Sequence, residues 1–577
     1  MSVPERELGL RHLVQLRWGV RIPLRDGVTL SATLYESRGA AGPTPVICTL
    51  TPYTAQRYHE EGVYFAARGY RFVIVDVRGR GNSEGEFRPN LQEARDGYDV
   101  VTWLASQPYC NGQVAMWGAS YMGHAQWATA SQRPPALATI VPAASPHMGS
   151  DFPMRNNIWT PYVMQWLTLV AGRTLQEGVF WNQETFWGSL FRDFIQSGRP
   201  FRELDTYVGV PAPIFQEWIA HPRRDSYWDQ YNPTTDQYRH IDLPVLTITG
   251  IYDGDQWGAL THYRLHLANA SSEARSKHFL VIGPWDHAGT RTPRARFSGI
   301  ETGPEALIDL RDLHRQWYDW TLQDGAKPVF FKRNVAYYVM GLEAWRYADS
   351  LEDITQAVTP LYLSSSRNPT DAFRSGQLST EIPKTADPAF YVYDPRDTSL
   401  ASLESTVDPE SLTDQRMLLA ASGPRQLVYH TAPFGADREV SGFFRALLWL
   451  SIDQPDTDVR VLVYEIDLEG RSVLLTSDLL RTRYRESLEA ETLVSTRNPL
   501  PYEFARFTFV ARHIRRGCRL RLVIGPIDSI YSQRNYNGGG CVAEEGGPDA
   551  RVVTVTLLQD ARHSSALYVP WGRVEAQ

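Results

Sequence analysis

Cysteine is scarce in this chain of 577 residues, which contains only four. They are Cys48, Cys110, Cys518 and Cys541, and they form neither a CxxC pair nor a cluster with histidines at zinc-ligand spacing. This pattern indicates structural thiols and predicts no metal site. The sequence leaves a disulfide between Cys518 and Cys541 open.

Long apolar runs and blocks of like charge are also missing. No apolar stretch approaches the length that spans a bilayer, and charges interrupt the first twenty residues too often for a signal-peptide core. The formal net charge is −7, with Lys and Arg interspersed among Asp and Glu. These absences give no support to a membrane or nucleic-acid partner, and they favour a soluble, cytoplasmic protein.

The composition that remains is that of a globular protein too long for one domain. Hydrophobic residues make up 43% of the chain and charged residues 21%. A length of 577 residues indicates two or three domains. Aromatic residues reach 12%, and such residues fill cores as well as line pockets.

Apolar runs near the start of the chain alternate with helical segments. The runs at 43–53, 71–81, 113–118 and 137–145 are continuous, and the segments between them have helical spacing. Continuous apolar strands separated by helices predict a parallel sheet that is covered on both faces.

Changes of pattern then divide the chain. Between 146 and 240, amphipathic segments rich in Trp, Phe, Arg and Pro predict a helical cap, after which the α/β pattern returns at 243–255 and 277–287. From about 355, short alternating runs separated by turn signals predict an all-β sandwich or jelly roll. We therefore predict an α/β domain at 1–145 and 241–354, a cap at 146–240 and a C-terminal jelly roll at 355–577.

The motif VAMWGASYMG (114–123) places a serine after one predicted strand and before a helix. A nucleophile occupies this position when the turn is sharp and nearby glycines prevent collisions. Gly118 provides the near side, but the G-x-S-x-G pattern would need glycine where Met122 stands, and the glycine comes one place later at Gly123. From this motif alone, Ser120 is either a turn residue or a nucleophile.

A nucleophilic serine needs a histidine base, and the base needs a carboxylate to orient it. In α/β hydrolases the order along the chain is serine, acid, histidine, and the last two follow later strands. Asp253 follows one later apolar run, and His287 is the one histidine of 14 that follows the next. Asp255 and Asp286 are rival acids. We prefer Asp253 because Asp286 adjoins the histidine and Asp255 lies further into its loop.

The other histidines are interpreted structurally. His124 lies one helical turn after Ser120 but precedes the acid, so we expect it to pack on its helix. His147, His240 and His278 are expected at the surface or lining a pocket.

The tetrahedral oxyanion of acyl transfer needs preorganised hydrogen-bond donors. One is normally the backbone N–H of the residue after the nucleophile, which is Tyr121 here. The second normally comes from the loop after an early strand, where the stretch LTPY offers the hydroxyl of Tyr53. Tyr53 is also one of 29 tyrosines, so aromatic filler is the alternative.

Together these motifs resemble those of the cocaine esterase family, which includes α-amino acid ester hydrolases, glutaryl-cephalosporin acylases and Xaa-Pro dipeptidyl-peptidases. The family motif G-x-S-Y-x-G is similar to 118–123, YDG to 252–254 and GPW-x-H to 283–287. The stretch VDVRGRGNSEGEF at 75–87 is also typical, and the resemblance covers nearly the full length. The displaced glycine is therefore a trait of the family.

The resemblance implies a catalytic triad of Ser120, Asp253 and His287, with an oxyanion hole from Tyr53 and Tyr121. It also implies an α/β-hydrolase domain with an inserted helical cap and a C-terminal all-β jelly roll. Enzymes of this family need no metal and no organic cofactor.

Substrate-binding residues are implied by the same resemblance. The α-amino acid ester hydrolases bind a substrate ammonium with a cluster of carboxylates, and Asp151 and Asp255 stand at two of the three positions. Gln256 departs from the third. Carboxylates near a pocket would attract an amine. The alternative is that these two aspartates cap helices that start near 152 and 257.

The expected function is a serine hydrolase that cleaves an ester or amide bond through an acyl-enzyme, with α-amino acyl substrates as one option. Trp159, Trp166 and Trp257 either shape the acyl pocket or belong to the core of the cap. The alternatives are acyl transfer to an amine, peptidase activity on short peptides and a non-catalytic binding protein. The partner is then a small ester, amide or short peptide, and a homo-oligomer is left open.

Overall fold

The structure is a computed structural model that describes residues 13–573 except positions 210, 385, 407–410, 414 and 415. At 184 and 416–418 it describes the backbone alone. Residues 1–12, where the stretch read for a signal peptide begins, lie outside the described residues, as do 574–577.

The strands between residues 14 and 348 build one large sheet and two short hairpins. They are β1 Val14–Pro23, β2 Thr29–Ser37, β3 Thr44–Thr51, β4 Arg71–Asp76, β5 Cys110–Ala119, β6 Leu137–Ala143, β7 Met154–Arg155, β8 Ile158–Trp159, β9 Val245–Tyr252, β10 His278–Asp286, β11 Arg296–Phe297, β12 Ile300–Glu301, β13 Val335–Val339 and β14 Ala344–Ala348. In the described part of the chain, β7 pairs with β8 and β11 with β12, and the others form a sheet in the order β1-β2-β4-β3-β5-β6-β9-β10-β13-β14.

The centre of this sheet is parallel. The strands from β4 to β13 in that order pair in parallel, whereas β1, β2 and β14 add antiparallel edges. The central strands include the continuous apolar runs and are buried along most of their length. Because a strand covered on both faces is apolar at nearly every position, the predicted parallel α/β sheet is confirmed.

Helices of the same region cover the sheet and form an insertion. They are α1 His59–Ala66, α2 Glu93–Ala105, α3 Tyr121–Ser131, α4 Tyr162–Leu169, α5 Glu177–Phe180, α6 Gly188–Ser197, α7 Leu204–Val208, α8 Pro213–Ile219, α9 Thr235–Arg239, α10 Gln256–Asn269, α11 Ser272–Ser276 and α12 Leu310–Leu322. Helices α4 to α9 lie between β6 and β9, where the described chain adds no strand to the large sheet. This segment is therefore a helical insertion at the carboxyl ends of the parallel strands.

The remainder of the chain is rich in strands. They are β15 Ala357–Ser364, β16 Gly376–Ser379, β17 Ala389–Tyr393, β18 Leu427–His430, β19 Arg438–Gly442, β20 Arg445–Ile452, β21 Asp458–Ile466, β22 Ser472–Arg481, β23 Leu500–Phe504, β24 Val510–Ile514, β25 Arg519–Pro526, β26 Val553–Leu558 and β27 Ala566–Trp571. Two short helices, α13 Ser399–Glu404 and α14 Arg416–Ser422, interrupt them. Strands β20 and β26 alternate buried and half-buried positions, as sheets with one covered face do.

Backbone hydrogen bonds join the two β-systems. The amide of Met340, just after β13, donates to the carbonyl of Ala511 at 3.0 Å. The amide of His513 donates back to the carbonyl of Met340 at 2.8 Å. The C-terminal domain is therefore bonded to the edge of the α/β sheet.

Several sequence expectations concern absences. Within the described residues, no helix is both long and apolar enough to cross a bilayer. No group of three His, Cys, Asp or Glu side chains in that part of the chain could hold a metal ion. All four cysteines are free, with Cys518 buried and Cys541 exposed, so the disulfide that the sequence left open is not formed.

Candidate active site

Ser120 lies on the turn between β5 and α3, at the carboxyl end of a central strand. Its backbone has φ 63° and ψ −127°, a conformation that costs an L-residue about 1–3 kcal/mol. Hydrogen bonds hold the turn, since its N–H donates to Ala143 of β6 at 2.9 Å and its carbonyl accepts from Gly123 at 2.8 Å. A strained serine between a strand and a helix is the geometry of a nucleophile elbow.

The glycines of the motif leave space on two sides of this turn. Gly118 has φ 137°, and a Cβ there would lie 2.5 Å from the Cβ of Met122. A Cβ on Gly123 would lie 2.6 Å from the carbonyl oxygen of Ala143. The turn thus accepts a side chain at 122 because residue 118 has none. It needs glycine at 123 because α3 passes close to β6.

His287 follows β10 and is hydrogen-bonded to the acid that the sequence favours. Its Nδ1 lies 2.7 Å from Oδ1 of Asp253, whose side chain is completely buried while that of the histidine is 38% exposed. Asp255 is further away, with Oδ2 at 3.7 Å from the same nitrogen. Asp286 faces elsewhere, because it accepts from the amide of Gly289 at 2.7 Å and pairs with Arg294.

The carboxylate of Asp253 is fixed by its own loop. Oδ2 accepts from the hydroxyl of Thr249 at 2.9 Å, and Oδ1 accepts from the amide of Asp255 at 3.1 Å. These donors leave the carboxylate little freedom to turn away from the imidazole. A buried carboxylate held in this way can orient a histidine.

The electrostatics of this pair suit a base. Burial lowers the pKa of His287, but the charges of Asp253 and Asp255 and the hydrogen bond to Asp253 outweigh it, and the pKa is raised above the ordinary value. The imidazolium that forms during proton transfer is therefore stabilised at this position.

Ser120 and His287 lie at the same site without a direct bond. Within the described part of the chain, no hydrogen bond joins the Ser120 hydroxyl to His287. Nε2 of the histidine instead lies 3.4 Å from Nη2 of Arg291, a residue of the following turn. Ser120 is close enough to Tyr53 to oppose the rise that burial causes in the pKa of the tyrosine. Such contacts in enzymes often tighten only when substrate binds.

The hydroxyl of Tyr53 is oriented by a neighbour. Tyr53 follows β3, and its hydroxyl accepts a hydrogen bond from Nε1 of Trp166 in α4 at 3.0 Å. Because an indole N–H can only donate, this bond leaves the phenolic proton free for another acceptor. Burial raises the pKa of Tyr53, and the bond from Trp166 and the charge of Arg291 oppose that rise.

Tyr121 offers its backbone to the same space. It is the first residue of α3, so its N–H has no acceptor inside the helix. Its side chain points away, since the hydroxyl donates to Glu93 and accepts from the amide of Asn90 at 3.2 Å. Burial raises the pKa of Glu93 to about 7.

The two predicted carboxylates lie close enough to influence each other. Burial raises the pKa of Asp255 to about 6, with the charge of Asp253 adding to the rise. Burial and the charge of Asp255 raise the pKa of Asp151 well above its ordinary value. The side chain of Asp255 makes no capping hydrogen bond to α10. Asp151 does cap that helix, because Oδ2 accepts from the amide of Gly258 at 2.6 Å.

Gln256 is a structural residue. Its Oε1 accepts from the amide of Phe509 at 2.6 Å, and its Nε2 donates to the carbonyls of Gly250 at 3.0 Å and Ile251 at 2.9 Å. The side chain is fully buried between the loop of Asp253 and the C-terminal domain. The amide therefore connects two domains and has no capacity left for a substrate.

The three tryptophans fall in different surroundings. Trp166 stacks on Tyr121, with ring centroids 6.2 Å apart. Trp257 is half-buried beneath the guanidinium of Arg506, 4.7 Å from the ring centroid. Trp159 is 1% exposed, and its ring packs against Trp228 inside the insertion.

Most other histidines of the α/β domain are buried around Trp127. The expectation of a surface or pocket position is wrong for His147 and His278, which are buried, whereas His240 is exposed. His124 packs in the core, as expected. The cluster consists of His124, His147, His262, His266 and His278.

The sequence did not indicate two neighbours of the Asp253–His287 pair, Thr249 and Arg291. Thr249 lies in β9, and its sequence context is that of an ordinary strand residue. The sequence therefore did not indicate its hydrogen bond to Asp253. Arg291 follows the histidine by four positions. An arginine in the loop after β10, close to the candidate histidine, is the sequence feature that could have identified it.

The strand order and the elbow define an α/β hydrolase, and the chemistry that such an elbow serves is that of a serine hydrolase. Residues 26–289 match the family model X-Pro dipeptidyl-peptidase (S15 family), and residues 319–565 match the X-Pro dipeptidyl-peptidase C-terminal non-catalytic domain. The two matches together cover most of the chain, which therefore contains an S15-family domain followed by the C-terminal domain of X-Pro dipeptidyl-peptidases. The resemblance that the motifs indicate is thereby confirmed.

Relatives of known sequence or structure match the whole chain. Cocaine esterase of Rhodococcus sp. (strain MB1 Bresler) is 26% identical, over 96% of this chain and 97% of that protein. An α-amino acid ester hydrolase structure has a TM-score of 0.83 at 21% identity, covering 97% of each chain. An aminopeptidase from the marine sediment archaeon Thaumarchaeota archaeon has 0.82 at 22%, covering 96% of each. These structures establish the fold.

Proposed function

We propose that this serine hydrolase cleaves its ester bond with Ser120 as nucleophile, His287 as base and Asp253 as the carboxylate that orients the base. The observation that carries this proposal is the 2.7 Å contact from Nδ1 of His287 to the buried carboxylate. It occurs in a fold where the strained serine ends a central strand, which is the setting of such triads.

The protonation states follow from this contact. The Nδ1–H of His287 donates to Asp253, so Nε2 carries no proton and can accept one from Ser120 as its Oγ attacks the carbonyl carbon. The imidazolium then gives that proton to the leaving group. Water, deprotonated by the same nitrogen, attacks the acyl carbon, and the proton passes to Oγ of Ser120 as the acyl–oxygen bond breaks and the acid leaves.

The oxyanion is assigned to two donors from different elements. Both the hydroxyl of Tyr53 and the N–H of Tyr121 are free to donate, because Trp166 only donates to the phenol oxygen and Tyr121 is the first residue of α3. Because the hydrogen bond from Trp166 stabilises the partial negative charge on the phenol oxygen, it makes Tyr53 a stronger donor to the oxyanion.

For the acyl group we propose an α-amino acid, bound through its ammonium by Asp255. A substrate ammonium beside Asp255 would stabilise the ionised form of this carboxylate, which burial disfavours. Asp151 contributes charge nearby, but both of its oxygens accept backbone N–H groups, from His147 at 2.9 Å and from Gly258 at 2.6 Å. Trp166 and Trp257 are the proposed walls of the acyl pocket, and Trp159 supports them from the core of the insertion.

Hydrolysis of an ester is favoured over acyl transfer and over peptide cleavage. The relative named as an esterase matches this chain over 96% of its length. A putative Xaa-Pro dipeptidyl-peptidase of Bacillus anthracis is 23% identical over 46% of the chain.

We further propose the division of the chain into a catalytic domain at 1–145 and 241–354, a cap at 146–240 and a C-terminal jelly roll at 355–577. The end of β6 at 143, the start of β9 at 245 and the start of β15 at 357 support these boundaries.

The nucleophile is tested with a fluorophosphonate probe, which labels activated serines covalently. We expect wild type to label and Ser120→Ala not to label. The matched control is Ser131→Ala at the other end of α3, which should label as wild type does. Equal labelling of wild type and Ser120→Ala would overturn the assignment.

The acyl group is tested with 4-nitrophenyl esters of equal size that carry or lack an α-amino group. We expect a higher kcat/KM for the amino esters and a loss of that preference in Asp255→Asn. A preference for uncharged acyl groups would contradict the role of the carboxylates.

A further inference from the structure

Arg291 lies in the turn after β10 and reaches back to the base. Its Nη2 is 3.4 Å from Nε2 of His287, and its Nη1 is 3.4 Å from the carbonyl oxygen of the same residue. The charge of Arg291 also acts on Tyr53 and on Asp255. The guanidinium therefore lies inside the site described above, and none of the assigned steps uses it.

This arginine has no anion of its own. Among the described residues, no carboxylate forms an ion pair with it, and its two hydrogen bonds are both long contacts to His287. The next arginine along the loop, Arg294, pairs with Asp286. A half-buried guanidinium has lost part of its hydration and gains from a carboxylate that binds it at two points.

Arg291 lies beside Nε2 of His287, and this position determines which part of the substrate the guanidinium contacts. In the proposed mechanism Nε2 of His287 delivers a proton to the leaving group, so the leaving group passes this nitrogen. The carboxylates of Asp253 and Asp255 lie on the opposite side of the ring, at Nδ1. Arg291 is therefore on the leaving-group side, away from the proposed ammonium subsite.

We propose that Arg291 binds a carboxylate on the leaving group, so that the substrate class is an ester whose alcohol is itself a hydroxy acid. This inference rests on the proposed roles of Ser120 and His287. The scissile C–O bond breaks as before, the proton goes from His287 to the leaving oxygen, and the carboxylate stays ionised throughout.

The same pairing bears on the contact between Arg291 and the base. A donor of Arg291 lies 3.4 Å from Nε2 of His287, the nitrogen whose lone pair accepts the Ser120 proton in the proposed mechanism. A carboxylate that draws the guanidinium toward itself frees that lone pair. Binding of the correct leaving group thus completes the base.

The test compares two esters of one acyl group that differ only in a carboxylate, the 4-nitrophenyl and the 3-carboxy-4-nitrophenyl ester. Each kcat/KM is divided by the rate of the same ester with hydroxide, to remove the difference in intrinsic reactivity. We expect wild type to favour the carboxylate ester at least tenfold. In Arg291→Gln this preference should fall by about 10- to 100-fold, as expected for a lost charged hydrogen bond.

Three controls make the outcome unambiguous. Arg294→Gln removes a positive charge three positions further on and should keep the wild-type preference, and Arg291→Lys should keep part of it. An equal preference in wild type and Arg291→Gln, with hydrolysis that still depends on Ser120, would overturn the role of Arg291 alone. Absence of hydrolysis of both esters by wild type would overturn the proposed function and this inference together.

Discussion

Protonation of a buried histidine should weaken the catalytic domain in acid, and His262→Gln isolates this effect. His262 lies in α10, stacked on Trp127 with ring centroids 5.2 Å apart. Its Nε2 is 3.0 Å from the carbonyl of Pro146, and its Nδ1 is 2.6 Å from the hydroxyl of Tyr238. Since a carbonyl can only accept, Nε2 carries the proton and Nδ1 accepts from the tyrosine, which is the neutral form.

The magnitude follows from the shift in pKa. Burial, with the neighbouring His124 adding to it, lowers the pKa of His262 to about 3, whereas an unfolded histidine titrates near 6.5. The unfolded chain therefore binds the extra proton first. The contribution of this residue to stability is complete above about pH 6.5 and is lost as the pH falls toward 3. At pH 5 the loss amounts to about 2 kcal/mol, because each unit of pKa is worth about 1.4 kcal/mol.

The assay is the free energy of unfolding of wild type and His262→Gln at pH 7 and pH 5, from denaturant titrations followed by tryptophan fluorescence. Glutamine fills similar space without titrating. The variant should be the less stable protein at pH 7, and the difference should shrink by about 2 kcal/mol at pH 5. Taking the difference between the two proteins cancels the contributions of other titrating groups. Glu93 is one of them, and its raised pKa favours the folded state as the pH falls.

The control is His240→Gln, which makes the same replacement at an exposed histidine and removes no buried imidazole. A difference for His262→Gln that stays constant or grows on acidification would refute the reasoning, because the imidazole would then accept its proton in place at no cost.

Two further predictions concern the oxyanion hole and the domain contact. Tyr53→Phe should lower kcat by about 10²- to 10³-fold with little change in KM, since the hydroxyl acts on the transition state; steady-state kinetics on a 4-nitrophenyl ester checks this, and a loss below tenfold would contradict it. Gln256→Glu should destabilise the protein by about 3 kcal/mol or more, because a buried carboxylate would face the carbonyls of Gly250 and Ile251. Thermal unfolding measures this, and an unchanged Tm would contradict it.

The central sheet was predictable because its strands are buried on both faces. Such strands are apolar at nearly every position, so runs like 72–75 and 114–119 are distinct from amphipathic helices in the sequence alone. The order of Ser120, Asp253 and His287 follows from the same strands, since each residue comes just after one of them. Because the carboxyl ends of parallel strands lie at the same edge of the sheet, residues that follow those ends come close together.

The surroundings of the site were not predictable in this way. Asp151 caps α10 from a loop more than a hundred positions away, and no local pattern records such a contact. The buried positions of His147 and His278 are similar, because a histidine satisfied by hydroxyl and imidazole partners has the same local sequence context as an exposed one. The donor that Trp166 provides to Tyr53 depends on how the insertion folds back over the sheet.

The bonds between Gln256 and Phe509 change how the C-terminal domain is understood. They attach the loop of the catalytic acid to a module that supplies no reacting atom, and Tyr252 of the same loop donates to the carbonyl of Leu474 at 3.1 Å. The acid loop is thus a shared boundary, held from one side by the α/β sheet and from the other by the β-domain. Heat inactivation would then begin where the β-domain loosens, with the nucleophile elbow still intact. A stabilising change in the β-domain, far from any substrate, would lengthen the working life of the catalytic centre.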